Sequence, residues 1–220
     1  MSSIKKTLGD LVKTYPGAGK IFHDHGLDFC CGGSRTLEQA CAESHLNAEK
    51  IISEVEGGVN GGKQTIQWDS QTPEQLITHI LKQYHEPLRQ ELPRLIELAK
   101  KVEAVHADKV HCPKGLSAHL EEIQTAVHSH LAKEEQILFP MILSGVGVGA
   151  QMPIRVMMME HEDHGKNLKI TRELTQDFAV PSDGCESWRE LYRSLEKLEF
   201  DLMEHIHLEN NILFPKVLSE

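Results

Sequence analysis

Apolar residues recur along this chain at the three-to-four-residue spacing of helices, and the alternation of half-buried strands is absent. Leu8, Leu11, Val12 and Tyr15 mark a first short helix. Pro16 is suited to open a second, whose apolar face includes Ile21 and Phe22, and Gly26 to end it. Thr36 with Gln39 reads as a capping box for a third helix. Asn47 reads as the cap of a fourth, carrying Ile51, Ile52 and Val55. The stretch 57–66 has four glycines in its first six positions and no periodicity, so it reads as a flexible linker.

Beyond it the helical signals lengthen. Thr72-Pro73 starts a helix through Leu76, Ile77, Ile80, Leu81 and Tyr84, with a kink expected at Pro87 or Pro93. A second runs from about Leu116 toward Leu143, a third from near Pro153 to about Phe178, and a fourth from Ser187 onward. Glycines 145, 147 and 149 and the segment Pro181–Gly184 supply turns between them. Long helices with short connections predict an antiparallel bundle. The expected fold class is all-α: a small helical domain over 1–56, a linker over 57–66, and a four-helix bundle over 67–220.

Composition narrows the function. The net charge of −10 argues against a nucleic-acid or anionic-membrane partner, since both require a positive face. No run approaches the ~18 apolar residues of a membrane span, and the start MSSIKKTLGD lacks the apolar core of a signal peptide. The expected location is therefore cytoplasmic. Five cysteines, an odd count, argue against a disulfide framework there. The informative excess is histidine, 14 in all, because these residues fall into a repeat.

His130-x-x-x-Glu134-x-x-Ile-Leu-Phe-Pro140 recurs as His205-x-x-x-Glu209-x-x-Ile-Leu-Phe-Pro215, displaced by 75 residues throughout. His85-Glu86 is echoed by His161-Glu162, displaced by 76. Each half thus offers one lone histidine and one His/Glu pair. Residues i and i+4 share a helix face, with Cβ atoms about 5–6 Å apart, so each pair can grip one site from one side. A single such pair is more often a surface ion pair. Two copies inside the same apolar frame point instead to burial, which is costly for unpaired groups and which a shared metal would offset.

Four imidazoles and two carboxylates are many ligands for one ion, and each carboxylate can bridge two. With a bridging oxide they would fill about ten of the twelve octahedral positions of two ions, leaving room for exogenous ligands. Mixed imidazole and carboxylate ligation suits iron, manganese or zinc, so ligand type leaves the metal open. Cys30 and Cys31 are a separate feature. Adjacent cysteines close on each other only with strain, so they are expected to act outward, in thiol exchange or as ligands, with Gly32 and Gly33 letting a partner approach.

On these residues the bundle resembles hemerythrin-type di-iron proteins. The whole chain, with its Cys-Cys module and doubled His-x-x-x-Glu, more closely resembles the iron–sulfur cluster repair (repair of iron centres, YtfE/ScdA) family. The resemblance implies two non-haem iron ions per chain, with oxo or hydroxo and carboxylate bridges. The implied ligands are His85, His130, Glu134, His161, His205 and Glu209, with Glu134 and Glu209 bridging. It implies a stress-response role: restoring iron–sulfur clusters damaged by nitric oxide or hydrogen peroxide, with damaged iron–sulfur proteins as partners and nitric oxide or dioxygen as small ligands. Iron supply is the leading implied role. Reduction of nitric oxide to nitrous oxide, or sensing of oxygen or nitric oxide, are the alternatives. An exposed module on a tether leaves room for a homodimer. Oxygen-carrying hemerythrins have a second histidine four residues after the third-helix ligand. This chain has Gly165 there, which predicts an open space beside the metal. His164 is a substitute-ligand candidate, and Glu160 and Glu162 are candidates for orienting a ligand histidine.

Overall fold

A computed structural model describes residues 3–15, 17–58 and 67–219, apart from the side chain of Val148. The helix-opening role of Pro16 and most of the linker, 59–66, lie outside the described residues. Every regular element among them is helical, with a lone bridge between Thr7 and Thr36 and no strand.

Four short helices come first: α1 (Leu8–Thr14), α2 (Ala18–Asp24), α3 (Leu37–Glu43) and α4 (Ala48–Gly57). Their ends follow local chemistry. Gly26, at φ +67°, lets the chain turn after α2, with Leu27 N–H donating to the Phe22 carbonyl and Gly26 N–H to that of His23. Thr36 and Gln39 form the expected reciprocal cap of α3, and the Asn47 side chain accepts from Lys50 N–H at the start of α4. α4 reaches Gly57, so the first linker glycine is helical.

The long helices follow. α5 (Pro73–Ile80) opens on a second capping box, Thr72 with Gln75, and continues through a π turn into α6 (Glu86–Val105). α7 (Leu116–Lys133) continues through a π turn into α8 (Phe139–Leu143). α9 (Gln151–Thr175) is uninterrupted. α10 (Glu186–Leu208) continues through a π turn into α11 (Phe214–Leu218). α6 packs on α7 and α10, and α9 closes the ring against both α7 and α10. No described helix is long and apolar enough to cross a membrane.

Two apolar clusters bracket the bundle's length. One runs from the bundle interior (Leu92, Leu95, Leu120, Leu195) into the short helices (Leu8, Phe22, Phe29, Leu37). The other, with Leu76, Ile80, Leu138, Ile154, Leu213 and Phe214, fills the opposite end. The Leu-Phe positions of both repeat copies lie in this second cluster, so the apolar frame seals the end of the bundle nearest the His/Glu pairs.

Candidate metal centre

Each of the three π turns ends two residues before a proline: Leu81–His85 before Pro87, Glu134–Leu138 before Pro140, and Glu209–Leu213 before Pro215. A proline inside a helix has no N–H to give and clashes with the carbonyl four residues back. Widening the preceding turn accommodates both problems. The expected interruption near Pro87 thus takes the form of a π turn, while Pro93 is carried inside α6. Five of the six predicted residues lie on the helices so widened, and Glu134 and Glu209 each begin a π turn. His161 comes from the regular α9.

All six residues are at most 2% exposed, and their side chains converge. Two groups of donor atoms form: His85, His205, Glu134 and Glu209, and His130, His161, Glu134 and Glu209. The two carboxylates belong to both. Glu134 Oε2 lies 3.4 Å from His85 Nε2 and its Oε1 3.3 Å from His130 Nε2. Glu209 Oε1 lies 3.1 Å from His205 Nε2 and its Oε2 3.2 Å from His161 Nε2. Each glutamate therefore presents one oxygen to each group. None of these four oxygens has a hydrogen-bond partner among the described residues, an expensive arrangement for buried carboxylates.

The outer ring nitrogens fix what the inner ones can do. His130 Nδ1 donates to Glu160 (2.9 Å), His161 Nδ1 to Asn210 (2.8 Å) and His85 Nδ1 to Glu135 (2.8 Å). With Nδ1 holding the proton, Nε2 offers a lone pair. Yet Nε2 of His130 and His161 are 3.0 Å apart, and those of His85 and His205 are 3.2 Å apart. At His130 and His161, where both Nδ1 atoms have acceptors, facing lone pairs repel, whereas His205 Nδ1 has no partner among the described residues. A cation resolves this, since nitrogens ~2.1 Å from one ion at a right angle sit about 3.0 Å from each other. Protons are the other remedy. Burial opposes charge on His130, but Glu134, Glu209 and Glu160 outweigh it and raise the imidazole to about 9. Burial likewise opposes charge on Glu209, and His205 and His161 hold it well below the ordinary carboxylate range. This donor set fits a pair of metal ions.

The remaining candidates divide. Glu160 is half-buried, holds His130 and is itself paired with Lys133. Glu162 is exposed and touches none of the six residues by hydrogen bond or ion pair. His164 is buried in edge contact with the His130 ring (4.9 Å between centroids), and neither nitrogen has a partner among the described residues. Burial and the neighbouring imidazoles of His130, His161 and His205 push it down to about 3. It stands outside both four-atom groups. Glu135 and Asn210, absent from the sequence expectation, occupy the same position in the two copies, one residue after Glu134 and Glu209. They differ, Glu against Asn, so the repeat contains them only as unmatched positions within the aligned stretch.

The space expected beside Gly165 is shared between the Cys31 thiol and a cleft of 520 Å³ that Gly165 also lines. A Cβ there would lie 3.8 Å from the Cys31 thiol, and Cys31 Sγ donates to the His161 carbonyl at 3.3 Å. The short helices are therefore docked on the bundle. Gly33 does serve close approach, to the chain's own Asn211: a Cβ on it would fall 2.6 Å from Asn211 Oδ1. The Asn211 amide donates to the Cys30 carbonyl at 3.1 Å, and α2 adds the buried pair His23–Glu199 (3.0 Å), joined by Arg172. Of the other cysteines, Cys41 and Cys112 are buried, and Cys185 lies 3.1 Å from His106 Nε2.

Comparison with known proteins agrees with this architecture. Residues 76–217 match the hemerythrin HHE cation binding domain, and residues 4–57 match ScdA_N, described as a domain of unknown function. A probable iron-sulfur cluster repair protein of Haemophilus influenzae is 45% identical over the full length of both chains. The iron-sulfur cluster repair protein YtfE of Pectobacterium atrosepticum is 42% identical, and that of Yersinia pseudotuberculosis serotype O:1b 43%, each covering 97% of this chain and 96% of the relative. A buried His/Glu centre in a hemerythrin-type bundle, preceded by a docked Cys-Cys module and matched end to end by these relatives, places the chain in the iron–sulfur cluster repair family.

Proposed function

We propose that this protein holds two non-haem irons per chain, at His85 and His205 on one side and His130 and His161 on the other. Glu134 and Glu209 bridge them, and the protein supplies iron to iron–sulfur proteins damaged by nitrosative or oxidative stress. The observation that carries this reading is the sharing of both glutamates between two four-atom donor groups, with every carboxylate oxygen otherwise unpartnered. The names of its relatives supply the client class, damaged iron–sulfur proteins. Residues 1–56 act as the thiol-bearing module and 67–220 as the iron-holding bundle, joined through 57–66. The outer partners Glu135, Asn210 and Glu160 orient the ligand histidines and fix their tautomers.

Metal content per chain, measured by plasma mass spectrometry on protein purified without oxygen, tests the centre. Two irons are expected, lost in a His130→Ala/His205→Ala variant. Stoichiometric zinc, or no metal despite iron in the growth medium, overturns the reading. Donation is tested by incubation with an apo iron–sulfur protein. A donor loses iron as the acceptor regains its cluster, whereas a nitric oxide reductase releases nitrous oxide repeatedly with its iron retained.

A further inference from the structure

A second group of metal-ligating atoms stands outside the buried centre, where the turn after α2 meets α9: a carboxylate oxygen of Asp28 and the thiols of Cys30 and Cys31. Resting on the reading of the bundle as an iron store, we propose that these three residues form a separate binding site for one thiophilic divalent ion, ferrous iron passing between the bundle and an acceptor.

The geometry is that of a chelate. Two sulfurs about 2.3 Å from one tetrahedral ion are about 3.8 Å apart, and Cys30 Sγ and Cys31 Sγ are 3.8 Å apart. A sulfur and a carboxylate oxygen on the same ion would be separated by about 3.5 Å, and Asp28 Oδ1 lies 3.2 Å from Cys30 Sγ. The carboxylate is held in place by the backbone N–H groups of Cys30 (3.2 Å) and Cys31 (3.0 Å). That turn alone would need only the Asp28 oxygen. Two successive thiols turned to the same side go beyond what the turn requires. Both cysteines are free, and a disulfide between neighbours is strained.

Position supports transit. Cys31 Sγ touches the backbone of His161, and the other side of the thiol pair borders a cleft of 520 Å³ reaching Glu162, Lys166 and Arg172. The site is thus next to the store on one side and open to an acceptor on the other. Thiolate ligands favour soft and borderline ions over magnesium or calcium. The contact with Cys31, then burial and the Asp28 carboxylate, raise the Cys30 thiol well above its ordinary value. Binding then replaces two S–H bonds by two S–metal bonds and releases two protons, with no change of oxidation state.

The test is titration of the full-length protein with cobalt(II), without oxygen and with thiols reduced. Thiolate ligation gives an intense near-ultraviolet charge-transfer band, which the His/Glu centre cannot. One equivalent producing this band is expected. The band should vanish in Cys30→Ser/Cys31→Ser, and affinity should fall at least about tenfold in Asp28→Asn, which keeps the turn but lowers the ligand charge. Both variants should retain the bundle cobalt. Absence of the band, its survival in the double serine variant, or unchanged affinity in Asp28→Asn overturns the site. A band persisting while the bundle takes no cobalt would overturn the store and leave this site standing.

Discussion

Gly165 lies well inside α9, where nothing in its backbone calls for glycine: its φ is helical. Such a glycine costs about 0.5–1 kcal/mol relative to alanine. The space it leaves holds Cys31 Sγ, 3.8 Å from where a Cβ would stand, which is ordinary contact distance. Gly165→Ala should therefore fit without displacing the thiol and raise stability by about 0.5–1 kcal/mol. In a chain of this size that is a Tm increase of roughly 2–4 °C or less. Gly165→Leu adds three carbons beyond the Cβ, and these crowd the thiol, the one group among the described residues within 4 Å of that Cβ outside its own helix. Overpacking of this kind costs about 1–3 kcal/mol, and moving Cys31 outward relieves it. Thermal unfolding under reducing conditions, together with the alkylation rate of Cys31, reads out both effects. Alanine should stabilise and leave alkylation unchanged; leucine should speed it. An alanine variant that loses stability, or a leucine variant with an unaltered alkylation rate, would refute the account of Cys31 as the group packed against Gly165.

Glu135→Gln removes the carboxylate that orients His85 and should weaken metal binding about 10–100-fold, measured by competition with a chelator. Burial pushes His207, packed against Phe29, down to about 4, so the unfolded chain binds the extra proton first as pH falls from its ordinary value. Stability should therefore decline between about pH 6.5 and 4, and His207→Gln should flatten that decline in denaturant titrations. Pro140→Ala and Pro215→Ala restore the missing N–H and permit a regular α turn. Circular dichroism should be unchanged while metal affinity drops, and equal affinity would detach the π turns from the centre.

Local spacing carried much of this structure into plain view. The i,i+4 pairs His130/Glu134 and His205/Glu209, and the caps at Thr36, Asn47 and Thr72, each involve groups within one or two helical turns, where backbone geometry alone sets the distance. The contacts that were not legible join distant segments. Asn211 reaching Cys30, Glu199 meeting His23, and Cys31 lying on Gly165 depend on how α2 docks against α9 and α10, and no periodicity encodes that. An open space was expected beside Gly165 because the missing side chain is visible in sequence, whereas the thiol that shares it comes from residue 31. The π turns fall between these cases: their prolines are visible, but proline equally announces a kink or a helix end.

The exchange of ligands between the two halves has a consequence for the unfolded chain. Under the proposed loading, each ion takes one histidine from each helix pair, so each is a cross-link as well as a cofactor. One ties His85 to His205 across 120 residues, the other His130 to His161 across 31. Both ions also hold Glu134 and Glu209, so their outermost ties reach from His85 or from His130 to the same last helix, and since loop-closure entropy grows only with the logarithm of the span they differ by less than about 0.5 kcal/mol. The two ions are staples of different helices: giving up the one at His130 and His161 frees α9, while giving up the one at His85 and His205 unties the first bundle helix from the last.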